Sequence, residues 1–252
     1  MMDNMGNLKD WLGFDGYGNI CDGDVEEPTV SASTLNPMIN NVVMAWKDHD
    51  GDQYQIWFSI LDSMGEEVKE PTQVTFSDSH SRDVNAAIMP DGKIVLVWRE
   101  KYANDADTNN IWYAVYAGNG DQLKSPTEID TDTDNCFDPA VASMPGSAII
   151  TWAEDTSGSG DDILYAVLRD DNDIHETGYV SERIGLDEDM DVAVDANGKI
   201  AVVYDSGTSP SRGSYAILDS SLNILETNVA LTDPTYNVLK RGSEGRRCLA
   251  VI

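Results

Sequence analysis

Hydrophobic and polar positions alternate along this chain in short runs, broken about every 8 to 12 residues by Gly, Pro, Asn or Asp. Runs such as Ile94-Val95-Leu96-Val97-Trp98 and Ala148-Ile149-Ile150-Thr151-Trp152 are brief and rich in β-branched residues, which predicts strands. No segment carries the 3.6-residue period of an amphipathic helix. Between the runs lie tight turns, among them Pro90-Asp91-Gly92-Lys93 and Ala196-Asn197-Gly198-Lys199. Their Asp-Gly and Asn-Gly pairs supply the positive φ that a two-residue hairpin requires.

These strands recur as a unit. Its first strand opens as Glu27-Pro28-Thr29-Val30, Asp83-Val84-Asn85-Ala86, Asp138-Pro139-Ala140-Val141, Asp189-Met190-Asp191-Val192 and Asp233-Pro234-Thr235-Tyr236, spaced 44 to 56 residues apart. That period suits four-stranded propeller blades. The second strand ends at Trp46, Trp98, Trp152, Tyr204 and Ile252, and the third carries Phe58, Tyr113, Tyr165, Tyr215 and Trp11. The units are predicted at about 26–78, 79–134, 135–185 and 186–232. The C-terminal segment 233–252 holds only the first half of a copy, and 8–25 only the second half. Joined, they make a fifth blade. The expectation is an all-β, single-domain, five-bladed β-propeller whose closing blade is shared between the N- and C-termini. A ring of this kind buries both faces of every unit and leaves only short, protected edges. The repeated Trp and Tyr positions are expected to pack between blades.

The pattern Asp138-Pro139-Ala140-Val141-Ala142, Ala148-Ile149-Ile150-Thr151-Trp152 and Asp162-Ile163-Leu164-Tyr165-Ala166 resembles the β-propeller repeats of bacterial and archaeal surface and secreted proteins. The resemblance covers almost the whole chain. It lacks the Trp-Asp ending of WD40 blades and the Ser-x-Asp-x-Gly-x-x-Trp box of sialidases. It implies a fold, and a fold hosts many functions.

Charge narrows the partners. With 45 acidic and 16 basic residues among 252, the formal net charge is −29. Such a field disfavours nucleic acid and anionic membrane surfaces, and it suits cations, basic partners or salty surroundings. An apolar content of 41% is enough for a packed core. No apolar run approaches the length of a membrane span, and Met1-Met2-Asp3-Asn4 does not read as a signal region. An extracellular or cell-surface setting is expected from the resemblance. Cys21, Cys136 and Cys248 have no metal-type spacing and read as free thiols. His49, His80 and His175 are scattered in the sequence and read as surface residues.

In a propeller of this strand order, the loops joining second to third strands share a face with the connections between blades. The residues that open the innermost strands lie at that face: Glu27, Asp83, Asp138, Asp189 and Asp233. Carboxylates crowded about one axis raise each other's pKa unless a cation or hydrogen bonds compensate. A Ca2+ held by hard oxygen ligands is one expectation; each carboxylate capping its own inter-blade turn is the other. The Asp48-His49-Asp50-Gly51-Asp52 loop adds Asp48, Asp50 and Asp52 as metal candidates, because it resembles the opening of an EF-hand loop without the closing glutamate. Asp105, Asp107, Asp155 and Asp161, in neighbouring acidic loops, are candidate ligand-binding residues.

The primary functional expectation is a non-catalytic binding module, its acidic face taking a divalent cation with a glycan or a basic protein segment. The alternative is a glycoside hydrolase of the five-bladed furanosidase or arabinanase type. There Asp83, Asp138 or Asp189 would act as base, and Glu27 or Glu154 as acid. A catalytic pair should break the repeat, and Glu27 alone differs in kind. A structural subunit of a surface assembly is the third class. The basic turn Lys240-Arg241-Gly242-Ser243-Glu244-Gly245-Arg246-Arg247 reads as an exposed hairpin tip.

Overall fold

A computed structural model describes residues 26–32, 40–49, 53–101, 108–129, 134–156, 160–181, 190–206 and 212–231. Sixteen strands form four antiparallel sheets of four strands, each a meander in chain order. The first sheet comprises β1 (Glu26–Ala32), β2 (Val42–His49), β3 (Tyr54–Leu61) and β4 (Glu67–Gln73). The second comprises β5 (Ser81–Ile88), β6 (Ile94–Lys101), β7 (Asn109–Tyr116) and β8 (Gln122–Glu128). The third holds β9 (Asn135–Met144), β10 (Ser147–Thr156), β11 (Gly160–Arg169) and β12 (Ile174–Ser181). The fourth holds β13 (Asp191–Val194), β14 (Ile200–Ser206), β15 (Arg212–Leu218) and β16 (Ile224–Ala230). The predicted fifth unit, 233–252 with 8–25, lies outside the described residues.

The first strands β1, β5, β9 and β13 lie against one another in that order, so the sheets meet at their first edges. Between sheets the apolar faces fuse into three clusters. Trp98 and Phe58 lie in the first, between sheets one and two. Trp152, Tyr113 and Cys136 lie in the second, between sheets two and three. Tyr204, Tyr165 and Val180 lie in the third, between sheets three and four. Trp98 is fully buried, and burying an aromatic of that size removes roughly 150–250 Å² from water. Trp98, Trp152 and Tyr204, each closing an apolar run, therefore join neighbouring sheets, as the repeat predicts. At the hairpins, Gly92 (φ 89°) and Gly198 (φ 81°) take the left-handed conformation that a side chain would oppose. Among the described residues no helix is long and apolar enough to cross a membrane.

The strands overrun their predicted ends. β2 continues three residues past Trp46, β6 three past Trp98 and β10 four past Trp152. Asp48, Glu154, Asp155 and Asp161 consequently sit in ladder rungs, where the sequence places loops. Polar residues end an apolar run without ending its hydrogen-bonded pairing.

Candidate active site

One irregularity recurs in the first three sheets. In β1 the pairing jumps from Glu26↔Lys47 to Thr29↔Ala45, so Glu27 and Pro28 together oppose Trp46. Asp83 and Val84 oppose Trp98 in the same way, and Asp138 and Pro139 oppose Trp152. Each is a β-bulge whose first residue has positive φ: 52° for Glu27, 53° for Asp83 and 45° for Asp138. Glycine would adopt this conformation freely; a residue with a side chain costs about 1–3 kcal/mol there. Three sheets thus hold a strained carboxylic residue at the same rung, at the edge where the sheets meet.

The carboxylates are linked across sheets. Glu27 Oε2 accepts a hydrogen bond from the Asp83 N–H at 2.9 Å. The expectation that such a residue caps its own turn is corrected at Glu27: its carboxylate reaches the neighbouring sheet. Lys47 Nζ lies 2.7 Å from Glu27 Oε1 and 3.0 Å from Glu26. Arg99 Nε forms an ion pair with Asp83 Oδ2; both atoms are buried, and the contact is not aligned as a hydrogen bond.

These partners drive the two proton affinities apart. Burial raises that of Glu27, but the Lys47 ammonium and the Asp83 N–H outweigh it and hold the carboxyl below its ordinary value. Burial likewise raises Asp83, and here it wins. The Arg99 guanidinium pulls down, the Glu27 and Asp138 carboxylates push up, and the group reaches about 6. A carboxylate fixed ionised beside a carboxyl that keeps its proton into mildly acidic solution is a common acid–base arrangement.

The third sheet departs from the first two. The residue after the tryptophan is Lys47 in β2 and Arg99 in β6, but Ala153 in β10. The side chain after Trp152 is therefore apolar where the first two sheets carry a cation. Two residues after the tryptophan, Glu100 Oε2 accepts from Trp98 Nε1 at 3.2 Å and from Ser81 Oγ at 3.1 Å. Glu154 lies 3.5 Å from Trp152 Nε1 and 3.8 Å from the buried Cys136 thiol. In β2 the shorter Asp48 takes this place, and Trp46 Nε1 and Asp48 Oδ1 are both buried without a hydrogen-bond partner.

The sequence-predicted residues sort as follows. Glu27, Asp83 and Asp138 are brought to one edge and coupled. Asp48 and Asp161 are buried in their sheets, and Asp155 is exposed opposite Asp161. Asp50, Asp52, Asp105, Asp107, Asp189 and Asp233 lie outside the described residues. Among the described residues no group of three or more His, Cys, Asp or Glu side chains is arranged to hold a metal ion. Sequence reasoning missed the cations Lys47 and Arg99, for which the only signal was their shared place after a tryptophan. It also scattered the histidines. His49 and His80 instead flank the Tyr54 ring, at centroid distances of 4.9 and 5.6 Å.

No family model and no curated protein matches the chain. Solved structures do match. A thermostable family-43 glycoside hydrolase aligns with TM-score 0.52 and 17% identity over 85% of this chain and 79% of its own. A polysaccharide lyase, an ulvan lyase, aligns with TM-score 0.54 and 10% identity over 83% and 58%. A Hadza microbial sialidase aligns with TM-score 0.58 and 8% identity over 82% of this chain and about half of its own, 47%. At these identities the likeness establishes a propeller-type all-β fold. It also corrects the primary expectation of a non-catalytic binding module. These three structures are of a glycoside hydrolase, a polysaccharide lyase and a sialidase, which back the alternative reading instead.

Proposed function

We propose that this chain cleaves glycosidic bonds, as a hydrolase of the five-bladed furanosidase or arabinanase type, with Asp83 as proton donor. The observation that carries this reading is the split between Glu27, held ionised, and Asp83, holding its proton to about pH 6, where three strained carboxylates converge. Glycoside hydrolysis needs one protonated carboxyl at the leaving oxygen and one carboxylate on the other side of the sugar, roughly 5 Å or more away. Glu27 accepts the Asp83 backbone N–H and is paired with Lys47, so the second role is not assigned to it. It sets the proton affinity of its neighbour. Asp138, whose carboxylate acts electrostatically on Asp83 from the third sheet, is the opposed carboxylate. This moves the acid role from Glu27, where the sequence suggests it, to Asp83, and keeps Asp138 as the second carboxylate. In the step itself, the Asp83 proton passes to the glycosidic oxygen as its bond to the anomeric carbon breaks. Water adds its oxygen to the anomeric carbon, and the proton it releases goes to the opposed carboxylate, so that one proton remains on the carboxyl pair.

The ring belongs to the same proposal. Trp46 is only 5% exposed yet belongs to none of the three clusters between the described sheets. On the far side of the fourth sheet, Ala201, Val203, Tyr215 and Ile217 remain half-buried. Both ends of the four-sheet arc therefore offer apolar faces, and a fifth blade built from the two termini supports each. A polymeric glycan as substrate agrees with an extracellular place of action.

The test is release of reducing sugar from arabinan and a panel of other polysaccharides, by the wild-type chain and by Asp83→Asn. Release by the wild type that falls at least 100-fold in the variant supports the reading. No release from any polymer, or equal release by the variant, overturns it.

A further inference from the structure

Beside the carboxylates, at the seam of the first two sheets, lies a group of cations in a chain whose acids outnumber its bases almost three to one. Lys47 and Arg99 are paired with carboxylates, but Arg82 and Lys101 have no ion pair among the described residues. The Arg82 guanidinium lies 5.3 Å from the Tyr54 ring centroid, a cation–π distance. Its Nε is buried without a hydrogen bond, so packing on the ring, not polar contact, holds it. The remaining guanidinium nitrogens are left to water.

His80 completes the group. Its Nδ1 accepts the Tyr54 N–H at 3.2 Å, which places the proton of the neutral ring on Nε2, available to a further acceptor. Its backbone carbonyl accepts the Lys101 N–H at 3.2 Å, which fixes the end of β6 beside it. Burial and the positive charges of Arg82 and Lys101 hold the imidazole below its ordinary proton affinity, so all three groups lie within electrostatic reach. On the connection from β4 to β5, Phe76 is 78% exposed, more than any other large apolar side chain described. The neighbouring Ser77 carbonyl is tied to Gln55 Nε2 at 2.9 Å, which anchors this stretch against the start of β3.

We infer that His80, Arg82 and Lys101, with the exposed Phe76 ring, form a subsite for the anionic substituent of an acidic glycan. An uncompensated guanidinium, an ammonium and an outward imidazole N–H suit a carboxylate or a sulfate, and an exposed aromatic ring suits the flat face of a sugar. The net charge of −29 repels anions at long range, but at physiological salt that field fades beyond about 8 Å. Three donors at contact distance then decide recognition. This inference rests on the glycan-cleaving reading for the kind of ligand; its test reads binding alone, so the two can fail separately.

The experiment is affinity measurement on the full chain at about 0.15 M salt, a condition chosen for that screening. Polygalacturonate is compared with neutral arabinan, and dextran sulfate with dextran. The expected result is binding at least 10-fold tighter to one acidic polymer than to its neutral counterpart. The preferred polymer then identifies carboxylate or sulfate as the group recognised. Arg82→Gln and Lys101→Gln should remove that preference while leaving neutral-polymer affinity in place. Phe76→Ala, at a site too exposed to unfold the chain, should weaken binding to the acidic polymer. Equal affinity for acidic and neutral polymers, or a preference that survives both charge substitutions in folded protein, overturns the subsite.

Discussion

The first two sheets and the third share one bulged backbone and differ at the residue after the tryptophan. All three carry a bulge that sets an acidic residue in the left-handed region opposite a tryptophan. In the first two, the residue after that tryptophan is a cation bound to the acid, Lys47 to Glu27 and Arg99 to Asp83. In the third it is Ala153, buried against the fourth sheet. The repeat therefore builds the geometry, and the break in the repeat sets the charge. An acid present in every blade is architecture until its partner changes; three acids with three different surroundings can take three roles.

The largest effect should come from removing the acid of the third sheet. Asp138→Asn is expected to lower polysaccharide cleavage by about 10²- to 10⁴-fold, the usual worth of one acid–base group, with unchanged thermal unfolding. Loss of folding in parallel would reassign Asp138 to architecture. Next comes the packing that the sheets share. Trp98→Ala should cost about 3–5 kcal/mol in denaturant unfolding, as for other buried aromatics. A loss below 1 kcal/mol would mean that the first seam does not depend on it.

Two substitutions should move the alkaline limb of the pH–rate profile in opposite directions. Activity needs the Asp83 proton, so it falls as pH rises through about 6. Arg99→Met removes the charge that lowers Asp83, and the limb should move to higher pH. Glu27→Gln removes a charge that raises it, and the limb should move to lower pH. Shifts of the same sign would show that the limb does not report Asp83. The smallest effect tests the β2 tryptophan. Asp48→Glu restores the length found at Glu100 and Glu154 and should let Trp46 Nε1 find an acceptor. The expected gain is about 1 kcal/mol, or about 2–4 °C in a chain of this size; a decrease would show that the site has no room for the added methylene.

The sequence carried the strands, their order and the inter-blade role of Trp98 and Trp152, because alternation and turn residues are local signals. It placed Glu27, Asp83 and Asp138 at one edge because their spacing follows the blade period. It did not reveal the bulges, since a two-against-one pairing leaves the apolar pattern on either side intact. Nor did it reveal the seam cluster: Tyr54, in β3, and His80, on the connection before β5, stand 26 residues apart, and only folding joins them. The roles proposed for Glu27 and Asp83 differ from those that residue type suggests, for a related reason. Their difference lies in the balance of burial against Lys47 and Arg99, which residue type alone does not carry.

The account turns on which carboxyl holds the proton, so the most direct measurement is a pH titration of the Asp83 side-chain carboxyl by carbon-13 NMR, with Asp83→Asn used to assign the signal. The account predicts a midpoint near 6, with Glu27 titrating below its ordinary value. A midpoint for Asp83 at or below the ordinary 3.8 would contradict it: the Arg99 pair would then hold the carboxylate ionised, and Asp83 could not deliver a proton to a leaving sugar.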